Sequence, residues 1–524
     1  MLPVFFVCLV FIGFLTTFNS LDPDFGWHLR TGKSILEEGV PYKDWYSYTM
    51  PDFPWIDHEW LMDVLIYKIY SSFGFYFLLL VFIILYTLSF FIVGEYHRDF
   101  WGFVLPVALG YLATVGFLGI RPQLLTILFI AIVWKITNEF LNYSSGLIYP
   151  VRNIVSNGVY ILPVLFLVWV NLHGGFFGGF FILFIFLILE IFKKLRIHQK
   201  IKTFKFLGNF NLKEQPFSKI SVLGSVMFFS FLATMANPYG LRIYEEVFRT
   251  AGDNFLRFHI QEWLPLFFLD FKPLIYIYIG FFTGFLIISY REIEFNSVVF
   301  ALIFLILSLS GARYFLIFII ITIPIFQKMF YSLKGKINIK ETYRLTTGLG
   351  KSMAALFFAV LLLMFSYSIY GFSKDALNIQ NYYPEKSLSF LKTLPLSENL
   401  FNYYGWGGYL IWKLPERKYF IDGRMPSWRQ NGQFVFGDYI DIMKAKEGFE
   451  KILEKYNVNL VLIQKIKEET KSVQKNTNAK SFLKNRPWLS RALGVSENKN
   501  LYNELINLNW KIIYRDEVAV ILRK

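Results

Sequence analysis

The chain has 524 residues, of which 55% are hydrophobic and only 17% charged, and its mean hydropathy is +0.43. That balance excludes an ordinary soluble globular protein, in which charged residues make up about a quarter of the chain. The formal net charge of +15 would suit a nucleic-acid surface, but lysine and arginine gather in short connections between apolar runs, the pattern of cytoplasmic loops, so no nucleic-acid partner is expected.

Apolar runs long enough to cross a hydrocarbon core recur from the first residue to about residue 371. In chain order the expected spans are 1–19, 72–94, 102–119, 122–137, 157–170, 174–192, 220–236, 272–289, 296–310, 312–327 and 353–371, about eleven in all. The first lacks a basic n-region and a small-x-small cleavage site, so it reads as a retained span and not a signal peptide. It also carries the single cysteine, Cys8, which excludes an intrachain disulfide.

Charge sets the orientation. Connection 193–219 carries Lys193, Lys194, Arg196, Lys200, Lys202, Lys205, Lys213 and Lys219 against Glu214, and 328–352 carries Lys328, Lys334, Lys336, Lys340, Arg344 and Lys351 against Glu341. Both should be cytoplasmic. Alternating from them puts the N-terminus inside the cell, the acidic first loop 20–71 outside, and everything after residue 371 outside the cytoplasmic membrane.

Beyond 371 the pattern changes to that of a small α/β domain, 372–524, with a length adequate for its own core. The segment LFNYYGWGGYLIW reads as an aromatic strand broken by Gly405, Gly407 and Gly408, and Lys418–Asp422 as a second short strand. Asp422-Gly423-Arg424 should be a loop, YIDIMKAKEGFEKILEKYN helical and NVNLVLIQ a buried strand. The basic tract 465–480 reads as a surface loop, LYNELINLN as a helix, and Trp510–Tyr514 and Val518–Leu522 as strands paired through a turn at Arg515-Asp516-Glu517.

With this topology the uncommon polar groups collect on the outer side: Asp22, Asp24 and His28 after span one, Asp57-His58-Glu59, Arg121, His173, Asn237 with Tyr239, Glu262, and Arg313. Ionisable groups near lipid are costly unless paired, hydrated or facing a cavity, so their gathering at one depth predicts a polar pocket at the outer mouth of the bundle. Arg121 and Arg313 are candidates for a lipid phosphate, which a guanidinium can hold bidentately; snorkelling to headgroups is the alternative for each. Asp22 and Asp24, beside Pro23 and Gly26, either hold a carboxylate over the membrane surface as a base or metal ligand, or cap the amphipathic segment 27–38. His28, His58 and His173 with Asp57 and Glu59 lack zinc-site spacing; a carboxylate-held Mg2+ or Mn2+ is the alternative to an interfacial loop anchor. In the outer domain Trp406, Tyr409, Trp412 and Arg424 could contact sugars or pack a core. HGGFFGGF, from His173, opens a membrane span and suits close helix packing through Gly174, Gly178 and Gly179 better than nucleotide binding.

The first loop, DPDFGWHLRTGKSILEEGVPYKDWYSYTMPDFPWIDHEWL, resembles that of GT-C membrane glycosyltransferases, especially bacterial and archaeal proteins similar to dolichyl-phosphate-mannose protein mannosyltransferases. RPQL, NLHG, ANPYG, SGARY and YYGWGGYLIW with FIDGR look like segments of multispanning proteins grouped with them. The resemblance implies a GT-C-like polytopic α-helical membrane protein with a C-terminal extracytoplasmic α/β domain. It implies a polyprenyl-phosphate-linked sugar donor, inversion at the sugar carbon, and an acidic catalytic residue in the first loop, which here would be Asp24 or Asp22. A glycolipid, a polymer and a protein are the candidate acceptors; no adjacent Asp-Glu pair follows span one and no Trp-Trp-Asp motif occurs, which tells against a protein and leaves a glycolipid, a cell-wall polymer or another hydroxyl acceptor open. A transporter or flippase of lipid-linked saccharide, with polar groups at the midplane, and a non-catalytic envelope-assembly protein are the alternatives.

Overall fold

The computed structural model describes residues 1–95, 100–142, 157–195, 214–268, 273–336, 379–465 and 500–524. The chain forms two compact units: residues 1–18, 73–243 and 261–376 make the first, and 19–72, 244–260 and 377–524 the second.

The first unit is a helical bundle. Among the described residues, five helices are long and apolar enough to cross a membrane: Trp60–Val93, Gln123–Asn142, Phe176–Lys194, Pro273–Glu292 and Ala312–Ser332. Shorter apolar helices lie at Leu2–Thr17, Trp101–Phe117, Gly158–Leu172, Phe217–Ala233 and Phe295–Ser310. Each expected span up to 312–327 therefore has its helix, and the chain is a polytopic membrane protein. The last expected span, 353–371, lies outside the described residues, as do most of both basic connections and the tract 466–480. Large apolar side chains such as Val4, Val7, Phe11, Phe228, Phe229, Ile287 and Ile288 are exposed on helix surfaces, as lipid-facing residues are.

The stretch Trp60–Val93 is two helices that meet at Gly74, whose non-helical φ of 81° favours glycine, and the second of them matches the expected span 72–94. The glycines of HGGFFGGF act in packing: Gly179 leaves room for Trp169 and Phe166 of the neighbouring helix Leu162–Leu172, and Gly175 lies against Thr126 and His173.

The second unit contains a four-stranded sheet of order β1 (Asn399–Asn402), β2 (Val458–Gln464), β4 (Ala519–Arg523) and β3 (Lys511–Arg515). β1 runs parallel to β2, while β4 is antiparallel to both β2 and β3. Central β2 buries Leu460, Val461 and Leu462 completely, as a strand covered on both faces does. Asp516 fixes the last hairpin by accepting the Val518 and Ala519 amide N–H groups at 2.6 and 2.7 Å.

The glycine-aromatic segment departs from the expected strand. Only Asn399–Asn402 is extended; Tyr404–Trp406 is a 3-10 turn and Gly407–Lys413 an α-helix. The reason is close approach: a side chain on Gly408 would strike the Pro23 carbonyl, and one on Gly407 the Ile421 carbonyl and the Asp422 backbone. The expected strand 418–422 is also absent, with Tyr419 making only isolated bridges to Ser47 and Leu400. Asn402 replaces the missing ladder there, its amide donating to Ile421 O at 2.8 Å and its oxygen accepting Phe420 N–H at 3.0 Å.

Candidate functional site

Within the second unit the chemistry begins at the turn before helix Phe25–Glu38. Asp22 Oδ1 accepts the Asp24 amide N–H at 2.9 Å, and Phe25 N–H closes on Asp22 O at 3.1 Å, the Asx turn that an Asp-Pro-Asp sequence favours. Asp24 occupies the N-cap position, yet its side chain makes no capping bond. Its Oδ1 instead accepts the Trp27 indole N–H at 3.0 Å. The half-buried carboxylate is therefore held beside a helix N-terminus by the Trp27 indole.

Next to it lies a buried acidic group. His28 Nδ1 is 2.6 Å from Asp63 Oδ1, its Nε2 is 3.7 Å from Glu59 Oε2, and its ring lies tilted against that of Trp27 with centroids 3.7 Å apart. His58, 35% exposed at its side chain, approaches Glu59 Oε1 at 3.8 Å. Asp57 is 2% exposed; its Oδ1 accepts Glu59 N–H at 3.1 Å, while among the described residues its buried Oδ2 finds no donor. Burial pushes the Asp57 carboxyl up to about 7, against the counter-pull of nearby His58.

Because the folded pKa of Asp57 exceeds its unfolded value of 3.8, the folded chain retains a proton that the unfolded chain releases. Its stabilising effect is complete below about pH 4 and is lost as pH rises to about 7, a change on the order of 4 kcal/mol. Asp57→Asn should remove this component: the variant's melting temperature should exceed the parent's at pH 8, and the difference should vanish near pH 4. A constant difference across that range would show that Asp57 is ionised in the folded protein throughout.

Arg424 forms the other centre of this unit. Its guanidinium donates to Asp422 Oδ1 and Oδ2 at 2.8 and 2.7 Å and to Asp44 Oδ1 at 2.8 Å. It lies 4.3 Å from the Trp55 ring centroid, 4.7 Å from that of Tyr46 and 5.2 Å from that of Trp428. Burial alone would lower its pKa, but the Asp422 and Asp44 carboxylates raise it above the ordinary arginine value. The Arg424 side chain is 2% exposed, and Trp406 is fully buried with its indole N–H donated to Tyr382 O at 2.8 Å. Both belong to the core of the unit, as does Tyr409, so of the two roles open to Trp406, Tyr409 and Arg424, sugar contact and core packing, their burial favours packing.

In the first unit, two arginines distant in sequence meet one short turn. Arg121 Nη1 donates to Glu262 Oε1 at 2.6 Å, and the Arg313 guanidinium stacks 4.1 Å from the centroid of the Trp263 ring. Glu262 and Trp263 are neighbours in the 3-10 turn Gln261–Trp263, and Ala312 N–H donates to Leu264 O at 2.9 Å, tying the two segments together. His173 Nδ1 accepts Gly175 N–H at 2.8 Å and lies 2.7 Å from the Thr126 hydroxyl, and the two contacts orient the ring. Asn237 holds the turn after helix Phe217–Ala233, donating to Thr234 O and Gly240 O at 2.8 and 3.0 Å and accepting Tyr239 N–H at 2.8 Å; Tyr239 itself is buried.

Thus Arg121, Glu262 and Arg313 converge within one unit, and His28, His58 and Glu59 within the other. Sequence reading missed the partners Asp44, Asp63, Asp422 and Gly423. Asp63 sits one helical turn after the Asp-His-Glu run, which is the only local signal that could have marked any of them. Among the described residues no group of three or more His, Cys, Asp or Glu is arranged to hold a metal ion.

No family model matches the sequence, and no curated protein matches it. Solved structures do. The archaeal oligosaccharyltransferase AglB from Archaeoglobus fulgidus, in complex with an inhibitory peptide and a dolichol-phosphate, is 13% identical over 88% of this chain and 69% of that chain, with a TM-score of 0.57. The Archaeoglobus fulgidus oligosaccharyltransferase tethered with an acceptor peptide containing the NVT sequon is 12% identical over 88% and 69% of the two chains, with a TM-score of 0.53. At such identities the likeness is one of fold. The chain shares the fold of these archaeal oligosaccharyltransferases.

Proposed function

We propose that this protein transfers a sugar from a polyprenyl-phosphate-linked donor to a hydroxyl-bearing acceptor at the non-cytoplasmic face of the cell membrane. The observation that carries the reading is the Asp24 carboxylate, half-buried at a helix N-terminus and held by the Trp27 indole instead of capping the helix. It stands in a fold shared with oligosaccharyltransferases, one of them in complex with a dolichol-phosphate. The N-terminus is assigned to the cytoplasm and residues 372–524 to the outer side on the strength of the basic connections.

In this reaction the acceptor oxygen attacks the anomeric carbon as the bond from that carbon to the phosphate oxygen breaks. Asp24 takes the acceptor's proton, with Asp22 the second candidate, and polyprenyl phosphate leaves with the bonding electrons. Attack opposite the leaving group inverts the sugar carbon. Arg121 and Arg313 stabilise the charge developing on the phosphate. The Trp263 contact is between the Arg313 guanidinium and a ring face and uses none of its N–H groups, which are then offered to a phosphate. Arg121 would exchange the Glu262 carboxylate for the lipid phosphate. The acceptor is a glycolipid, an envelope polymer or a protein, and within the second unit His28, His58 and Glu59 are assigned to it.

Membranes containing the protein and supplied with a labelled polyprenyl-phosphate sugar should release polyprenyl phosphate and an equal amount of glycosylated acceptor. Arg121→Ala and Arg313→Ala should each raise the donor KM about tenfold, the loss of one charge-assisted phosphate contact. Release no greater than from membranes without the protein, across a panel of sugar donors, would sink the reading.

A further inference from the structure

We propose that Gly423 is a positioning residue for the Asp24 carboxylate, which lies directly on its Cα and can keep its orientation only while residue 423 has no side chain. The inference rests on the reading of Asp24 as the base and adds a residue to that site.

Three glycines meet the chain around Asp24, and they differ in what they accommodate. A methyl group at Gly26 would strike the Gly408 carbonyl, and one at Gly408 the Pro23 carbonyl. Both substitutions drive backbone into backbone, and the fold must give way. At Gly423 the three atoms nearest to such a methyl are all from the Asp24 carboxyl group, with Cγ at 2.8 Å and Oδ1 closer still. The φ of Gly423 also lies outside the left-handed range, so an alanine there carries no backbone strain.

The question is which side yields. Asp422 is fully buried, its Oδ1 accepts the Arg424 amide N–H at 3.0 Å, and its O accepts Met425 N–H at 3.2 Å. The Arg424 guanidinium then clamps the same aspartate and Asp44. The wall that Gly423 belongs to is therefore braced from within the core. The Asp24 carboxylate, which accepts the Trp27 indole N–H, ends a short side chain that turns about χ1 at a small cost. An added methyl thus displaces the carboxylate and leaves the backbone in place. A shift of about 1 Å in a reacting group is enough to lower a rate on the order of a hundredfold.

The test has two arms. In thermal unfolding of the full-length protein in detergent, Gly423→Ala should lower Tm by about 2–4 °C, and the same change made on Asp24→Ala should shift it by less than about 1 °C, because the overlapping atoms are gone. In the polyprenyl-phosphate release assay, Gly423→Ala should lower kcat about 100-fold with donor KM unchanged. Equal Tm shifts in both backgrounds would overturn the contact. Parental kcat in Gly423→Ala, with Asp24→Asn inactive, would overturn the positioning role while sparing the base. Full activity in Asp24→Asn would show that the base assignment has failed, and the positioning role with it.

Discussion

Asp24→Asn is expected to lower the turnover of polyprenyl-phosphate sugar by roughly 10²–10⁴-fold, the range for removal of a general base. The substitution is nearly isosteric, and the amide oxygen can still accept the Trp27 indole N–H that Oδ1 accepts at 3.0 Å. Folding and donor affinity should therefore persist, so the loss falls on kcat and not on KM. Asp22→Asn supplies the contrast. Its oxygen would still accept the Asp24 amide N–H, the bond that shapes the turn, so its turnover should stay within a few-fold of the parent. Steady-state kinetics on the two variants decide between the acids, since a reversed order of loss would move the proton transfer to Asp22.

The second large effect is structural. Arg424→Met should destabilise the second unit by about 3–5 kcal/mol, because it leaves the carboxylates of Asp44 and Asp422 buried with no guanidinium between them. Asp44 cannot turn to water, since its oxygens also accept the Tyr46 and Ser47 amide N–H groups at 3.2 and 2.8 Å. Arg424→Lys keeps the charge but not the fork that reaches three carboxylate oxygens at once, so it should recover only part of the loss. Equilibrium unfolding followed by tryptophan fluorescence reads this directly, as Trp55 and Trp428 lie against the guanidinium. A loss under about 1 kcal/mol would mean that the pair is solvated like a surface salt bridge.

What could be read from sequence follows the range of the forces involved. Membrane helices are written in runs of consecutive apolar residues, and strands such as β2 in short apolar segments, so both were legible from local pattern. The glycine-aromatic segment misled because Gly407 and Gly408 are required by contacts with Ile421, Asp422 and Pro23, and no local signal separates that need from a broken strand. Trp406 illustrates the same limit, since an indole that stacks on a ligand and one that fills a core have the same residue name. Arg121, Glu262 and Arg313 were singled out as uncommon charges at span ends, but their meeting at Gln261–Trp263 depends on tertiary folding. The least legible partnership was Asp44 with Arg424, separated by 380 positions.

That separation governs how the protein is made. Thr49 Oγ1 donates to Phe420 O across 371 positions, and Tyr48 N–H to Tyr419 O. At 5–20 residues per second, a ribosome needs roughly 20–70 s to supply the later half of such a pair. For that interval the segment 19–72, Asp24 included, has left the translation machinery without the chain it folds upon. Premature termination anywhere before residue 424 would strand it permanently, and a nascent chain of this kind is a natural client for chaperones and membrane proteases.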